Sequence, residues 1–566
     1  MRDALAVGLL SGAVAVYLAL VGVVEQLHGR LVLAEPVRLS LGQVALFLAG
    51  LVGAMAVARR AAAGSPAAAV LAGALAGVSA GAVLSMLVLA GPALNVRAMF
   101  VNASPPLFDL ITLGRGPGGV PAILALWGAL GAAAGAAARL PAGARRPLAW
   151  GAAAVLLLSI FQELAQLILQ AGERTAVVAD LLFTSDSPTP GAAAVVFVAT
   201  VALNALWRAR GEGFRRRTET IPPAARRVLR MAGPALAVVA ALLLPAVGGA
   251  FISQVLVIVG LYTLMGLGLN LEVGFAGLLD LGFVAFFAIG AYTVGLLTSV
   301  GSLGIAQMSF WAALPVAVIV ALVAGVVLGI PVLGIRGDYL AIATLGFGEI
   351  VRLLVLSDFL RPWLGGSQGL LDIPKPVFGG VELVGPEHLF YVTLAFSALV
   401  AYVAWRLQDS RLGRVWMAIR EDEDVAEALG VDLVSAKLLA YGLGAAFAGV
   451  GGAIFAVMLG SVFPHSFQLL ISINVLALII VGGLGSLPGV IVGALALVGL
   501  PELLREFGEF RFLVYGALLV VMMLLRPEGL WPAAEQRREL REHVEATEPA
   551  VEAAAASPTA GEPTGG

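Results

Sequence analysis

The side chains that could carry covalent or metal chemistry are few and widely spaced in this 566-residue chain. Cysteine is absent, which excludes disulfides, thiolate nucleophiles and cysteine metal sites. Lysine occurs only at Lys375 and Lys437, and neither follows the glycine that a GxxxxGK(S/T) phosphate loop requires. The histidines form no HExxH-type pattern, since they stand apart at His28, His388, His465 and His543. We therefore expect no metal, no cofactor and no ATP hydrolysis by this chain itself.

Ionisable side chains within apolar segments are more informative, because a charge at the bilayer centre costs about 2.5–3.5 kcal/mol on insertion scales. Glu272, Asp280, Glu349 and Arg352 stand inside or at the edge of such segments. Glu349 and Arg352 are three residues apart, so they can pair on one helix. That pair either packs one helix against another or belongs to a transport path. Asn270 either offers hydrogen bonds to a zwitterionic substrate or caps a broken helix.

Two glycine-rich stretches interrupt the apolar runs, and we call them the first glycine break (269–282) and the second glycine break (481–489). Glycine clusters at membrane depth are tolerated where helices break around a cavity, and paired breaks indicate a transport path. Ordinary small-residue helix packing is the alternative. Val273, Gly274, Gly277 and Leu279 align with Val481, Gly482, Gly485 and Leu487. We predict a translocation path with the candidate residues Asn270, Glu272, Gly274, Gly277, Asp280, Glu349, Arg352, Gly482 and Gly485.

A charged stretch at residues 406–437 separates two long apolar runs. Because both neighbours are lipid-soluble, this stretch must lie in water at one membrane face. Its acidic residues precede Val425, Ala428 and Leu429, and this spacing predicts a short helix with one apolar face. Two interpretations remain open from these residues: a solvated loop, or a helix that docks a partner.

The composition defines the class of protein to which these elements belong. Hydrophobic residues make up 60% of the chain, charged residues only 12%, and glycine occurs 70 times. This balance is typical of polytopic helical membrane proteins, and we predict an all-α fold of that class. The formal net charge of −2 gives no basic excess for nucleic acid. The apolar stretch 4–24 exceeds the roughly 7–15 residues of a signal-peptide core, so we expect it to be the first span.

About sixteen transmembrane spans are expected, six accessory spans before residue 208 and about ten after residue 230. Arginine-rich connections at 59–60, 139–146 and 208–230 alternate with arginine-poor ones. By the positive-inside rule, the N-terminus, residues 406–437 and the C-terminus then face the cytoplasm. Gly131 and Gly135 form a GxxxG pair, which either marks close helix packing or arises by chance in a glycine-rich sequence. The expected spans lie near 4–24, 41–58, 66–90, 119–138, 150–170, 192–207, 231–247, 251–271, 281–300, 310–335, 339–356, 389–405, 438–460, 469–481, 490–504 and 512–525.

Changes in composition predict four regions. The first is the accessory membrane region at 1–207, which an arginine-rich cytosolic linker at 208–230 follows. The third region, a second membrane domain, spans 231–532. The remaining segment, 533–566, is rich in Glu, Ala and Pro and has no apolar periodicity, so we expect a disordered cytosolic tail.

Several motifs resemble those of the LivM-type permease of branched-chain amino-acid ABC importers. They include GLGLNLEVGFAGLLDLGFVAFFAIGAYT at 266–293, GDYLAIATLGFGEIVRLL at 337–354 and VGGLGSLPGVIVGA at 481–494. Together with LGRVWMAIREDEDVAEALGVD at 412–432 and PELLREF…RPEGLWP at 501–532, they run in order over about 256–532. The resemblance implies a non-enzymatic subunit that moves branched-chain or related amino acids inward across the plasma membrane. It also implies two cytosolic ATPases, a second permease of the LivH type, and a periplasmic or lipid-anchored binding protein.

Within that resemblance, Glu427, Ala428 and Gly430 match a relaxed form of the EAA–G coupling motif of ABC permeases. The implied role is a short helix that sits in a groove of an ATPase and transmits its closure to the membrane helices. Two features depart from the family pattern: Glu272 stands where an apolar residue is expected, and residues 1–230 resemble no part of the permease. The predicted coupling helix consists of Glu421, Asp422, Asp424, Glu427, Ala428, Leu429 and Gly430.

Two alternative functions stay open at this point. The same mechanism could serve urea or short amides, since no residue separates these cargos from amino acids. A stand-alone secondary transporter could instead use Glu272, Asp280 and Glu349 to couple to an ion gradient. A membrane-embedded enzyme has little support, because the sequence offers no histidine cluster and no water-facing carboxylate pair.

Overall fold

A computed structural model describes residues 1–33, 39–61, 65–170, 173–184, 187–219, 223–335, 337–505, 508, 510–526 and 528–532. Across these residues the strands form only two short antiparallel pairs, β1 (Leu31–Leu33) with β2 (Leu39–Ser40) and β3 (Val377–Phe378) with β4 (Val381–Glu382). Helices make up the rest of the regular structure, which confirms the predicted all-α class. The predicted tail, 533–566, lies outside the described residues.

The chain divides into two compact units, Met1–Val239 and Ala240–Gly566. Helix α11 (Pro223–Leu269) passes from one unit into the other, and its backbone departs from helical geometry at Gly249. The other helices of the first unit are α1 (Arg2–Val21), α2 (Val23–Gln26), α3 (Leu41–Ala61), α4 (Pro66–Leu94), α5 (Pro105–Thr112), α6 (Val120–Ala138), α7 (Ala142–Ile160), α8 (Gln162–Gln170), α9 (Glu173–Leu182) and α10 (Pro190–Glu219).

Within the first unit, α4 and α6 pack closely along the predicted GxxxG pair. A Cβ placed on Gly131 would lie 2.2 Å from the carbonyl oxygen of Gly73, and one on Gly135 would lie 2.6 Å from that of Ala69. Real Cβ atoms do not approach carbonyl oxygens so closely, so these positions require glycine. The pair is therefore a helix-packing feature of the small-residue type.

The second unit is built around α19 (Leu433–Leu459), which packs against α12 and α13 and is largely buried. The remaining helices of this unit are α12 (Val284–Thr298), α13 (Phe310–Val332), α14 (Asp338–Leu356), α15 (Arg361–Leu364), α16 (Pro386–Gln408), α17 (Arg411–Glu421), α18 (Glu423–Ala428), α20 (Leu469–Gly482), α21 (Leu487–Ala494), α22 (Leu500–Leu503) and α23 (Phe510–Leu525). Two π-helical turns, Asn270–Phe275 and Leu495–Gly499, interrupt the pattern.

Helices α12 and α19 approach through glycine. A Cβ on Gly452 of α19 would lie 2.0 Å from the carbonyl oxygen of Phe287, and one on Gly290 of α12 would lie 2.4 Å from that of Gly449. The backbones of the two helices are therefore in direct contact, which is how membrane helices gain van der Waals packing without a hydrophobic driving force.

Eleven helices among the described residues are long and apolar enough to cross a membrane, which confirms a polytopic helical membrane protein. Three shorter apolar helices add to them, Val284–Thr298, Leu487–Leu503 and Arg511–Leu524. The sequence suggested about sixteen spans because hydropathy does not reveal helix breaks. The expected span at 150–170 divides at Phe161 into α7 and α8. The expected span at 490–504 corresponds to the shorter apolar helix Leu487–Leu503, which contains the second π-helical turn.

Candidate functional site

The first glycine break ends the helical path of α11. The π-helical turn Asn270–Phe275 follows α11, the chain is irregular from 276 to 283, and α12 begins at Val284. Backbone carbonyls in the turn accept from nearby N–H groups, with Leu278 N donating to Glu272 O at 2.8 Å. Gly277 has a φ of 72°, a left-handed conformation that favours glycine. A broken helix of this kind occurs at membrane depth only where protein surrounds it.

The second glycine break connects α20 to α21. Gly485 has a φ of 74°, and α21 starts with Ser486 as its N-cap, the hydroxyl of Ser486 accepting from Gly489 N at 3.1 Å. The chain segment that follows α23 donates two backbone hydrogen bonds to this break. Leu530 N donates to Val481 O at 2.7 Å and Trp531 N donates to Gly482 O at 2.9 Å. The RPEGLWP motif thus satisfies carbonyls that the end of α20 would leave unpaired.

The two glycine breaks touch each other, a contact that their alignment did not predict. The side-chain oxygen of Asn270 accepts a hydrogen bond from Gly485 N at 2.9 Å, and both groups are buried. A Cβ on Gly274 would lie 2.8 Å from Gly485 N. The structure therefore brings together four of the predicted path residues: Asn270, Gly274, Gly277 and Gly485.

Helices α17 and α18 form a helical hairpin, which we call the α17–α18 hairpin (411–430). The Ser410 hydroxyl caps α17 by accepting from Gly413 N at 3.2 Å. Asp422 separates the two helices, and its carboxylate caps α18 by accepting from Val425 N at 2.9 Å. The short helix predicted from the acidic run is thus present, and an Asp N-cap with acidic residues in the first turn is the favoured way to start one.

The α17–α18 hairpin is fixed to the N-terminal end of α19. Trp416 of α17 is fully buried, and its indole Nε1 donates to Ala436 O at 2.8 Å. Lys437 of α19 is buried and forms an ion pair with Glu423 of α18. One contact comes from each helix of the hairpin, so both helices are held to α19.

A third contact joins the α17–α18 hairpin to the first glycine break. The guanidinium of Arg420 donates through Nη1 to Gly274 O at 2.7 Å, and its Nη2 pairs with Glu421 at 3.1 Å. Arg420 is not among the residues that the sequence predicted for the coupling helix. The contact joins residues 146 positions apart in the sequence, so no local sequence pattern predicts it.

The predicted coupling residues all lie on the exposed side of the hairpin. Leu429 is 81% exposed and Val425 is 54% exposed, while Ala426 between them is buried against the protein. We call this exposed apolar surface, with its acidic rim, the docking face. Its remaining exposed members are Glu421, Asp422, Asp424, Glu427, Ala428 and Gly430. The apolar side chains that the spacing placed on one face therefore do not pack into the core.

At its C-terminal end, α19 contacts the loop between α15 and α16. The ammonium of Lys375 donates to the carbonyl oxygens of Val457 and Met458 at 2.7 and 2.8 Å, and Leu370 pairs with Val462 in an antiparallel bridge. A cation at a helix C-terminus is favoured by the helix dipole. Partial burial lowers the pKa of Lys375, and the nearby Glu382 acts in the opposite direction. Helix α19 is thus held at both ends.

Two buried carboxyl groups lie beside the first glycine break. Asp280 accepts from Gly282 N at 2.6 Å, and the Glu272 carboxyl interacts electrostatically with that of Asp280. A Cβ on Gly444 would lie 2.0 Å from Glu272 Oε1, so this carboxyl rests on the backbone of α19. Within the described residues, both oxygens of Glu272, one oxygen of Asp280 and the Tyr441 hydroxyl lack hydrogen-bond partners. Such groups can hold a proton or a small cation, because burying unpaired carboxylates is costly.

Glu349 and Arg352 form the local pair that their spacing predicted. Arg352 Nε donates to Glu349 Oε2 at 2.9 Å, and a second bond joins Nη2 to Oε1. In the described residues, no hydrogen bond or ion pair connects them to Glu272 or Asp280. Arg352 lines a small cavity beside Tyr292 and Phe467, away from the contact between the two breaks. The pair thus closes on itself along one turn of α14, and both of its side chains are partly exposed.

Replacing Asn270 by alanine is expected to lower the free energy of unfolding by about 1–3 kcal/mol, because Gly485 N–H loses its partner while still buried. Thermal unfolding of the purified protein in detergent measures this change. Asn474→Ala is the matched control, since Asn474 accepts from the Tyr515 hydroxyl, which can rotate toward another acceptor. Equal destabilisation by the two variants would contradict a special role for the bond between the breaks.

Apolar spans, two glycine breaks in contact and a charged hairpin fixed to them define a polytopic membrane permease. The family described as "Branched-chain amino acid transport system / permease component" matches residues 251–525. The chain belongs to this family of permeases, of the LivM type, and its members are transport subunits and not enzymes. No solved structure matches the chain.

The matched relatives are named as transport proteins. The high-affinity branched-chain amino acid transport system permease protein LivM of Salmonella typhimurium is 42% identical over 304 residues, covering 50% of this chain and 70% of the relative. LivM of Escherichia coli K12 gives the same figures. The permease protein LivH of Salmonella typhimurium is 27% identical over 195 residues, covering 32% of this chain and 62% of the relative.

Proposed function

We propose that this chain is the permease subunit of an ABC importer that moves branched-chain or related amino acids inward across the plasma membrane. The observation that carries the proposal is the 42% identity to LivM over 304 residues, which cover 70% of that relative. The second unit supplies a fitting architecture. Its two glycine breaks meet among membrane helices, and irregular backbone at that depth is typical of transport paths.

Two cytosolic ATPases are the proposed source of energy, and the docking face is the proposed contact with one of them. Leu429 and Val425 are exposed although they are apolar, and the hairpin beneath them is fixed to α19 through Trp416 and Lys437. A rigid element with a small apolar face suits insertion into a groove, where buried side chains supply the binding energy. From the arginine-rich connections, we propose that this face and both termini lie in the cytoplasm.

A LivH-type second permease and a binding protein on the outer face complete the proposed importer. The chain resembles both LivM and LivH proteins, so a pair of related permeases is the expected membrane assembly. The binding protein would deliver the cargo, either from the periplasm or from a lipid anchor. We propose that residues 1–207 form an accessory membrane region and that 208–230 connect it to the permease domain at 231–532.

The buried pair Glu272 and Asp280 favours one alternative, an ion-coupled transporter that works without ATPases. Unpaired carboxyl oxygens within a membrane protein are a recognised feature of proton and cation relays. A change of cargo to urea or short amides is the other alternative, and it leaves the ATP-driven mechanism unchanged. The two alternatives predict different energy sources, so they can be separated.

Transport by reconstituted protein tests the proposal. The chain, a LivH-type permease and two ATPases are reconstituted in liposomes. A binding protein loaded with radiolabelled leucine is then added on the side of the membrane opposite the ATPases. Leucine uptake is expected to require ATP and to persist when protonophores or sodium ionophores collapse ion gradients. Uptake that follows an ion gradient without ATP would support the secondary transporter. Uptake of urea or acetamide in place of leucine would reassign the cargo.

A further inference from the structure

We propose that Arg420 is the positioning residue that links the α17–α18 hairpin to the two glycine breaks, so that movement of a docked ATPase is passed to the translocation path through this side chain. The inference rests on the proposed function and assigns a role to a residue outside the predicted coupling helix. Arg420 lies in the last turn of α17, one residue before the docking face starts at Glu421.

The guanidinium reaches backbone at the point where three segments of the chain converge. Its Nη1 donates to Gly274 O at 2.7 Å, and a Cβ on Gly485 would lie 3.6 Å from the same nitrogen. Gly485 N in turn donates to Asn270. Arg420 is therefore in contact with the first break and adjacent to the second, while its own backbone belongs to the hairpin.

The contact extends beyond one hydrogen bond. A Cβ on Gly277 would lie 2.9 Å from Arg420 Cγ and 3.2 Å from Arg420 Cα, so the first break rests directly on the side chain and backbone of this residue. Gly277 thus has a steric reason to be glycine, whereas Gly485, which aligns with it, has a conformational reason in its φ of 74°. A larger side chain at Gly277 would separate α17 from the break.

Charge also favours this contact. The turn Asn270–Phe275 continues the C-terminal end of α11, where the helix dipole places partial negative charge on the last carbonyl oxygens. Other carbonyls in the turn, those of Leu271 and Glu272, accept backbone N–H groups. The Gly274 carbonyl accepts from a guanidinium instead, and a hydrogen bond from a charged donor is stronger than one between neutral groups.

The same guanidinium is shared with the docking face. Arg420 Nη2 pairs with the carboxylate of Glu421, which is largely exposed and stands where a docked ATPase would make contact. Because Trp416 and Lys437 hold the hairpin to α19, a force on the docking face moves the hairpin as one body. Arg420 then transfers that displacement to Gly274, in a π-helical turn, a geometry that often marks functional positions.

Coupling between hydrolysis and transport tests this role in the reconstituted importer. Arg420→Gln should leave ATPase co-purification and ATP hydrolysis within twofold of the unsubstituted protein and should lower leucine uptake per ATP hydrolysed at least tenfold. Arg420→Lys keeps the charge but replaces the two-nitrogen fork of the guanidinium with a single ammonium nitrogen. An intermediate ratio of uptake to ATP hydrolysis is therefore expected. The matched control is Arg414→Gln on the same helix, whose guanidinium donates to exposed Asp409 O at 3.2 Å, and its ratio should not change.

The possible results separate this inference from the proposed function. An unchanged uptake-to-hydrolysis ratio in Arg420→Gln would overturn the role of Arg420 while leaving the importer intact. Loss of ATPase co-purification in both Arg420 variants, with normal thermal stability, would make Arg420 a docking residue and would also overturn it. Absence of ATP-dependent uptake by the unsubstituted protein would instead contradict the proposed function.

Discussion

Changing Val425 and Leu429 together to aspartate is expected to abolish ATPase binding and all ATP-driven uptake, while the protein still inserts and folds. Both side chains are exposed, so the substitutions remove no packing within the chain. Burying an aliphatic side chain of this size stabilises an interface by about 1.5–3 kcal/mol, and the pair together by about 3–6 kcal/mol. That loss corresponds to roughly 10²–10⁴-fold weaker binding. Co-purification and titration of ATPase activity against added permease measure it.

The matched control for this prediction is the double change Val381→Asp and Val384→Asp in the loop between α15 and α16. These side chains are also valines with more than half of their surface exposed, so the control adds the same charge to a similar surface. ATPase binding by this variant should equal that of the unsubstituted protein. Retention of ATPase binding by the Val425 and Leu429 double variant would rule out the docking face as the ATPase contact.

Replacing Gly452 by leucine is expected to prevent the second unit from folding. The new Cβ would lie 2.0 Å from the carbonyl oxygen of Phe287 and 2.8 Å from Ala291 N, so the backbones of α12 and α19 would have to separate. Overpacking a core by a few methylenes costs about 1–3 kcal/mol when the neighbouring side chains can adjust. The obstacle at Gly452 is backbone, which cannot adjust in that way, so the cost is expected to be larger. The monodisperse fraction of protein extracted from membranes by mild detergent should fall to background.

Gly346→Leu in α14 is the control for the glycine prediction. Nothing lies within 4 Å of a Cβ at that position, and leucine is the better helix former by up to about 1 kcal/mol. This variant should express and extract as well as the unsubstituted protein. If Gly452→Leu behaved in the same way, direct contact between α12 and α19 would not be needed for the fold.

Features that depend on nearby residues could be predicted from the sequence. Apolar length predicted α13, α14, α16 and α19, each within a few residues of its observed bounds. The acidic run before Val425 predicted α18, because capping and dipole effects act within one turn. The spacing of Glu349 and Arg352 predicted their ion pair for the same reason. Each of these predictions involves residues that the chain itself keeps close.

Contacts between distant segments could not be predicted in this way. The bond from Arg420 to Gly274 joins residues 146 positions apart, and the bond from Gly485 to Asn270 joins residues 215 positions apart. The alignment of the glycine breaks suggested only that two similar turns exist. The start of α12 was also missed by a few residues: the expected span begins at 281, whereas α12 begins at Val284, after the turn in which Asp280 accepts from Gly282 N.

Helix α19 connects the α17–α18 hairpin at one end with the loop that carries Lys375 at the other. Without this helix, the two surfaces would respond to their partners separately. Its 27 residues extend over roughly 40 Å at 1.5 Å per residue, with the α17–α18 hairpin bonded near Ala436 and Lys375 bonded at Val457 and Met458. Suppose that nucleotide binding at one end changes the affinity for the binding protein at the other end. Thermodynamic reciprocity then requires the binding protein to change the affinity for nucleotide by the same factor. A loaded binding protein would then change the affinity for ATP by that same factor, and it would report the arrival of cargo across the whole thickness of the membrane.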